Sequence, residues 1–375
     1  MKILFLGDYS NYHRCLAEAL RRMGHDVTVA SNGSRWLNTH RDIDLSRKGG
    51  GRIGGLLLWL KLQLLSHRFT GYDVVQINSP TFVDLRPEKV RRLFDFLKRN
   101  NRSVFMTTMG NDTPFVKMCI ENDSPLRYNE WQIDGAPGPH RVESPMSLDS
   151  WLQPSIAAHC DYIYEKVDGV LTALYEYHLS CRRIVSRERL AYAGIPIDAS
   201  TLKVEVERNV PRKLKLFLGM HRDRQVEKGT DRLLAAARRV VEEYPEECEL
   251  EVVENVPYDE YLSLMRHSHV ILDQLYSYTP ATNALLAMAQ GLTAVTGGEP
   301  EYYDFIGEKE LRPIVNAEPD DERLYESLKE LVLNKERVIE NIDANRDFVQ
   351  RHNDAHVVAQ RFLDFWQKRL KELQR

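Results

Sequence analysis

The sequence predicts an α/β chain of two doubly wound, parallel-sheet domains. Three observations carry this expectation. Apolar runs that read as strands alternate with helical apolar spacing through the first half. After a polar stretch the alternation restarts at Leu214. The 375 residues also exceed what one ordinary core accommodates.

Taken in order, residues 2–6 form an apolar run fit for a buried strand, and 12–23 have helical spacing that ends at Gly24. Residues 27–30 read as the next strand, 53–66 as a helix and 73–77 as a strand. Pro87 and Glu88 open a helix over 87–100 that closes on Lys98 and Arg99. A strand at 103–107 follows. Residues 110–154, rich in Pro, Gly, Asn and Asp, break the rhythm and read as a long loop with short helical pieces. A helix over 156–167 and strands at 169–172 and 189–192 complete the half, and 194–212 reads as a linker. The second cycle has strands at 214–218, 249–253, 270–273 and 293–296, with helices from Leu233 to Val241 and over 258–267 and 283–290. Residues 320–375 are helical throughout, and Val358, Phe362, Phe365, Trp366 and Leu370 make an apolar stripe.

Composition narrows the function. With 43% hydrophobic and 28% charged residues the chain is globular, and its net charge of −4 gives no case for nucleic acid. Five scattered cysteines, with no paired metal spacing, point to reduced thiols in a cytosol and no structural zinc. The opening apolar run is too short for a signal peptide. The apolar segment 54–65 is too short to cross a bilayer and is interrupted by Lys61.

The most informative stretch is 219–237. A strand ending at Gly219, a loop carrying Arg222 and Lys228-Gly229, and a helix start together make an anion cradle. A solvated loop with ordinary surface cations is the alternative. Two further loops follow strands, where open α/β sheets bind ligands. In Gly7-Asp8-Tyr9-Ser-Asn-Tyr-His13, Asp8 or His13 could hold an acceptor hydroxyl and His13 could act as a base. The plainer reading has Ser10 or Asn11 capping the next helix and His13 on the surface. Gly110-Asn-Asp112 is the same kind of position, or a simple turn.

Thr279, Thr282 and Asn283 stand just before a helix, where Thr282 or Asn283 could cap it beside a phosphate. Gly297-Gly-Glu-Pro-Glu301 follows the strand at 293–296 and is either a turn or a site element. Asp42-Ile-Asp44 matches a metal-binding pattern only by its letters and reads as solvated surface. The basic, apolar segment 47–68 reads as a membrane-surface element or as a helix packed on the sheet, since Trp59 and the leucines suit burial.

Several of these segments together resemble the retaining nucleotide-sugar glycosyltransferases of the GT-B fold, family 4 or group 1. Residues 2–8 with 20–30 look like that family's first βαβ unit. Gly219, Arg222 and Lys228-Gly229 look like its donor-phosphate loop, and Asp273-Gln274 with 285–291 like its donor loop and helix. The resemblance implies two Rossmann-like domains. Residues 1–198 would bind the acceptor, 212–345 the nucleotide sugar, and a C-terminal helix within 346–375 would cross back to the N-domain.

It further implies a hexosyltransferase-like enzyme of polysaccharide biosynthesis, located in the cytoplasm or peripherally at the inner membrane face. The donor would be a nucleoside-diphosphate sugar serving as co-substrate, with no other cofactor and no metal. The acceptor would be a glycan or lipid-linked sugar. Arg222, Lys228, Asp112 and His13 would serve catalysis; Gly7, Gly219, Thr279, Thr282, Asn283 and Glu301 would bind the donor. One departure stands out. Two glutamates usual in the family, one contacting the donor sugar and one the ribose, are Tyr278 and Leu286 here. Donor recognition is then rebuilt from Thr279, Thr282 and Asn283, with Glu301 the substitute carboxylate for ribose, or the chain is a catalytically inactive domain that binds a glycan or a partner. A nucleotide-sugar epimerase on the same fold is a third reading.

Overall fold

The computed structural model describes every residue except Arg35, Trp36, Glu205, Asn255, Pro257 and Arg375, and describes Tyr258 and Asp259 by backbone alone. The chain divides into two units. The first comprises Met1–Met118, Met146–Pro196 and Ala355–Arg375; the second comprises Cys119–Pro145 and Ile197–Asp354.

In chain order the first unit begins with β1 (Lys2–Leu6), α1 (Tyr12–Arg22), β2 (Asp26–Ser31), β3 (Ile43–Asp44), α2 (Gly51–Leu64), β4 (Val74–Ile77), α3 (Pro87–Asn100), β5 (Val104–Thr108) and α4 (Thr113–Ile120). The chain then forms β6 (Gln132–Ile133), β7 (Ala136–Pro137) and α5 (Pro139–Glu143) in the second unit. It returns for α6 (Pro145–Leu152), α7 (Pro154–Lys166), β8 (Gly169–Thr172), α8 (Tyr175–Cys181) and β9 (Leu190–Tyr192). The main run of the second unit is β10 (Leu214–Met220), α9 (Gln225–Lys228), α10 (Thr230–Glu243), β11 (Cys248–Glu254), α11 (Tyr258–Met265), β12 (Val270–Leu272), α12 (Thr282–Ala289), β13 (Thr293–Thr296), α13 (Pro300–Ile306), β14 (Val315–Asn316), α14 (Asp321–Leu333) and α15 (Lys335–His352). The last helix, α16 (Ala355–Glu372), belongs to the first unit.

The first unit carries a seven-stranded parallel sheet in the order β3-β2-β1-β4-β5-β8-β9. The second carries a five-stranded parallel sheet in the order β11-β10-β12-β13-β14. Strands covered by helices on both faces are buried along their length and mostly apolar. Accordingly β4, β5, β8, β12 and β13 are buried at every residue. The apolar stripe of α16 lies within the first unit: Phe362 and Trp366 are fully buried, and the Trp366 indole donates to Gln76 Oε1 of β4 at 2.9 Å.

Two expectations need correction. The boundaries 198, 212 and 345 do not describe the units. Residues 119–145 pack into the second unit, α15 runs through position 345, and the chain re-enters the first unit at Ala355. The segment 110–154 was expected to be mostly loop. It holds α4, the β6–β7 hairpin, α5 and α6, and Trp131 is fully buried. In α2, Gly54, Leu58 and Leu62 are buried, but Leu56, Leu57, Leu60 and Leu64 are exposed.

Candidate functional site

A doubly wound sheet opens a crevice at the carboxyl ends of its strands where the strand order reverses. In the second unit β11 lies on one side of β10 and β12 on the other, so the reversal falls between β10 and β12. The loops leaving these two strands are tied together. The Leu275 amide donates to the Lys228 carbonyl at 2.8 Å. Gly229 takes φ +70, and a Cβ there would lie 2.6 Å from that of Leu275. Glycine is therefore required by both the left-handed backbone and the close approach.

Lys228 Nζ stands 3.9 Å from Oδ1 of Asp273, and its side chain remains 31% exposed. Asp273 is buried, and its Oδ2 has no hydrogen-bond partner among the described residues. A cation paired with a buried carboxylate and open to solvent thus sits at the switch point. Arg222 does not share this position. It lies in a short 3-10 turn, is 74% exposed, and donates to Glu254 Oε2 at 2.6 Å at the end of β11. Gly219 is inside β10 rather than at its end, and a Cβ there would collide with the Tyr261 ring.

The loop from Asp273 leads to α12. Its N-cap is Ala281 in extended conformation, with no side-chain cap bond. The expected capping by Thr282 or Asn283 is therefore corrected: both lie within the helix, and Asn283 Nδ2 donates to the Tyr261 hydroxyl at 2.6 Å. Ala281 has no side-chain acceptor, so the N-cap residue itself does not bond the first N–H groups of α12. Thr279 is buried in the same loop.

The carboxylate chosen from the sequence, Glu301, lies in the first turn of α13 with its side chain 47% exposed, 3.8 Å from Arg127 Nη2. The buried carboxylate is Glu299. It accepts from Arg127 Nη2 and the Tyr128 hydroxyl, and from Asn316 Nδ2 at 2.8 Å. Burial, and then the bond to Glu299, raise the Tyr128 hydroxyl above its ordinary pKa. Tyr278, where the resemblance leads one to expect a glutamate, is buried, and its hydroxyl accepts the Arg127 amide at 2.7 Å. The Arg127 guanidinium lies 5.8 Å from the centre of the Tyr278 ring. Gly297 lets this loop pass against Ser277, whose carbonyl a Cβ would strike. Sequence reasoning missed Arg127, Tyr128, Glu299 and Asn316. The signal for Glu299 was the same Gly-Gly/Pro turn that drew attention to Glu301.

In the first unit the reversal falls between β1 and β4. Gly7, at φ +77, approaches Asn78 so closely that a Cβ would collide with its side-chain amide. Asp8 is buried: Oδ1 accepts the His13 amide at 2.8 Å and Oδ2 accepts from Thr39 Oγ1 at 3.3 Å. Burial pushes its pKa up to about 6. His13 is fully buried in α1, with Nδ1 2.7 Å from the Gly7 carbonyl and Nε2 3.5 Å from Thr107 Oγ1. The carbonyl can only accept, so Nδ1 carries the proton. Burial pushes the ring's pKa down to about 3.

His13 is therefore neither the surface residue nor the exposed base that the loop suggested. It has no access to an acceptor and is too weakly basic at neutral pH. Asp8, rather than Ser10 or Asn11, serves the start of α1. Asp112 is likewise structural: it accepts the Tyr164 hydroxyl at 2.5 Å and the Phe115 amide at 3.0 Å at the start of α4. Burial pushes its pKa up to about 6. Asp42 is held by Arg21 at 2.6 Å and Asp44 by Arg41 at 2.9 Å. Among the described residues no three His, Cys, Asp or Glu side chains are grouped to hold a metal.

No family model matches this chain, and neither does any curated protein. Solved structures do match. The chain is similar to sucrose-phosphate synthase from Thermosynechococcus elongatus at 14% identity, covering 99% of this chain and 100% of that one, with a TM-score of 0.62. It is similar to WaaG, a glycosyltransferase involved in lipopolysaccharide biosynthesis, at 13% identity, covering 96% and 98%, with a TM-score of 0.61. It is also similar to UDP-GlcNAc 2-epimerase from Methanocaldococcus jannaschii at 14% identity, covering 94% and 99%, with a TM-score of 0.51. The fold is GT-B, with two Rossmann-like α/β domains.

Proposed function

We propose that this protein transfers a sugar from a nucleoside-diphosphate sugar to a glycan or lipid-linked acceptor, with retention at the anomeric carbon and without a metal ion. The observation that supports this reading is Lys228, held at the β10–β12 switch point beside the buried Asp273 and still open to solvent. When the bond from the anomeric carbon to the phosphate oxygen breaks, the electron pair leaves with the diphosphate. The Lys228 ammonium and the N-terminus of α12, whose N-cap is an alanine, would stabilise that charge. Thr279, Thr282 and Asn283 belong to the donor loop in this reading, and Glu301 supplies the ribose acceptor.

A second reading has a specific observation in its favour. Tyr278 stands where the resemblance expects a glutamate, and the nearby buried carboxylate, Glu299, is already occupied by Arg127, Tyr128 and Asn316. That arrangement suits a catalytically inactive GT-B domain that binds a glycan or a partner. The likeness to an epimerase supports a third outcome.

One experiment separates the three. The protein is first screened by thermal shift against nucleoside diphosphates and their sugars. A ligand at about 100 times its dissociation constant adds about 2.7 kcal/mol. The ligands that bind are then incubated with and without glycan acceptors. A glycosyl product, formed equally well in chelator, supports metal-free transfer. Activity restored only by Mg²⁺ or Mn²⁺ overturns the metal-free part. Epimer formed without acceptor supports the third reading, and absence of turnover with every donor and acceptor supports the second.

A further inference from the structure

Helix α2 carries an apolar face that the first unit does not cover. Leu58 and Leu62 pack into that unit's core and Gly54 is buried against the Lys48–Gly49 backbone, whereas Ile53, Leu56, Leu57, Leu60 and Leu64 are between 49% and 78% exposed. These are five of the eleven exposed large apolar side chains among the described residues, all on one helix of 14 residues. At helical spacing the five fall within an arc of roughly 100°, opposite the buried positions. Arg52 and Lys61 flank that arc, one on each side.

Charge says what covers the face. Residues 45–72 contain Arg47, Lys48, Arg52, Lys61 and Arg68 and no aspartate or glutamate, in a chain whose net charge is −4. Lys48, Arg52 and Arg68 are exposed. Two of the cations meet acids from neighbouring segments: Arg47 lies 3.2 Å from Asp84 and Lys61 lies 3.8 Å from Asp44. A second copy of this chain would bring the same cations against their equals, so self-association through this face is opposed.

An anionic bilayer satisfies both features. Its acyl boundary takes the leucine face, while the flanking cations reach headgroup phosphates. No described helix is long and apolar enough to cross a membrane, and α2, about 21 Å long at 1.5 Å per residue, would lie in the interface plane. We infer that α2 docks the protein peripherally on a membrane surface rich in anionic lipid. Vesicle binding needs neither donor nor turnover, so this inference stands or falls apart from the sugar-transfer reading.

The test is flotation of the full chain with two kinds of vesicle, phosphatidylcholine alone and equal parts phosphatidylcholine and phosphatidylglycerol. The protein should float with the anionic vesicles, weakly or not at all with the neutral ones, and be released as salt shortens the screening length. The double variant Leu57→Ser/Leu60→Ser should lose roughly tenfold or more in partitioning. Arg52→Glu should selectively lose the anionic preference. Both variants should keep the wild-type melting temperature, because the replaced side chains are exposed. Failure of the wild type to float with anionic vesicles overturns the inference, as does equal flotation of the serine variant. Equal binding to neutral vesicles overturns the anionic assignment. A concentration-dependent dimer that the serine variant abolishes, without flotation, assigns the face to a second copy instead.

Discussion

Lys228 and Asp273 stand 3.9 Å apart across the point where the second sheet reverses its strand order. The Lys228 carbonyl accepts the Leu275 amide, which ties the two loops together, and the ammonium faces the buried Asp273 carboxylate. Arg222 has no such anchorage: it is exposed and committed to Glu254. The two cations that looked equivalent in the sequence are therefore not equivalent in space.

Lys228→Ala should weaken nucleoside-diphosphate binding by about 1.5–3 kcal/mol, the loss of a charge-assisted contact. Arg222→Ala should cost less, because Arg222 must first leave Glu254. Calorimetric titration of both variants checks the order. An equal or larger loss at Arg222 would show that it abandons Glu254 for phosphate.

Glu299 and Glu301 should separate stability from binding. Glu299→Gln leaves the buried Tyr128 hydroxyl and Arg127 without their anionic acceptor, and should lower unfolding free energy by about 1–3 kcal/mol. Glu301→Gln should leave stability unchanged and weaken nucleotide binding by about 1–3 kcal/mol if its carboxylate takes the ribose. Urea unfolding and titration with ribonucleotide and 2′,3′-dideoxynucleotide are the measurements. The dideoxy ligand should bind Glu301→Gln and wild type alike.

The buried imidazole of His13 predicts a pH effect of definite sign. Its folded pKa is about 3, whereas an unfolded histidine titrates near 6.5. Between those values the unfolded chain binds the extra proton. His13's contribution is thus fully present above pH 6.5 and declines as pH falls, by at most about 1.4 kcal/mol per pH unit. Asp8 and Asp112, with folded pKa values of about 6, act oppositely: the native state holds their protons between the unfolded values and 6, and their contribution is lost as pH rises. In His13→Gln the His13 contribution disappears and the carboxylate one remains. Urea midpoints from pH 7 to 4 should fall less steeply in the variant than in wild type.

Gly219→Ala should destabilise the protein by about 1–3 kcal/mol, because the new methyl displaces the Tyr261 ring from β10. The bond from Asn283 to the Tyr261 hydroxyl moves with it. A lowered denaturant midpoint with an unchanged slope is the expected result.

Most of the strands, though not their order in the sheet, were accessible from apolar runs, since strands such as β4 and β5 are buried on both faces and mostly apolar. β3 and β14, two residues each, are too short to show any period. The destination of 119–145 was invisible for a different reason. Arg127 and Tyr128 meet Glu299 about 170 positions away, and nothing local marks such pairing. His13 misled because its loop position suggested solvent, while α1 turns its ring inward against Phe5. Leu56, Leu57, Leu60 and Leu64 misled in the opposite sense, because apolar identity alone does not say which face of a helix is covered.

The chain passes between the two units four times, after residues 118, 145, 196 and 354. On a ribosome, this makes the unit that starts first the one that finishes last. Phe362, Phe365 and Trp366 of its core emerge only after the whole second unit has been synthesised. Until then α1 lacks its helical neighbour α16, and Gln76 lacks the indole that satisfies it. A nascent chain stalled before Ala355 would therefore expose the inner face of α1. Independent expression of residues 1–198 would reproduce that unfinished state permanently.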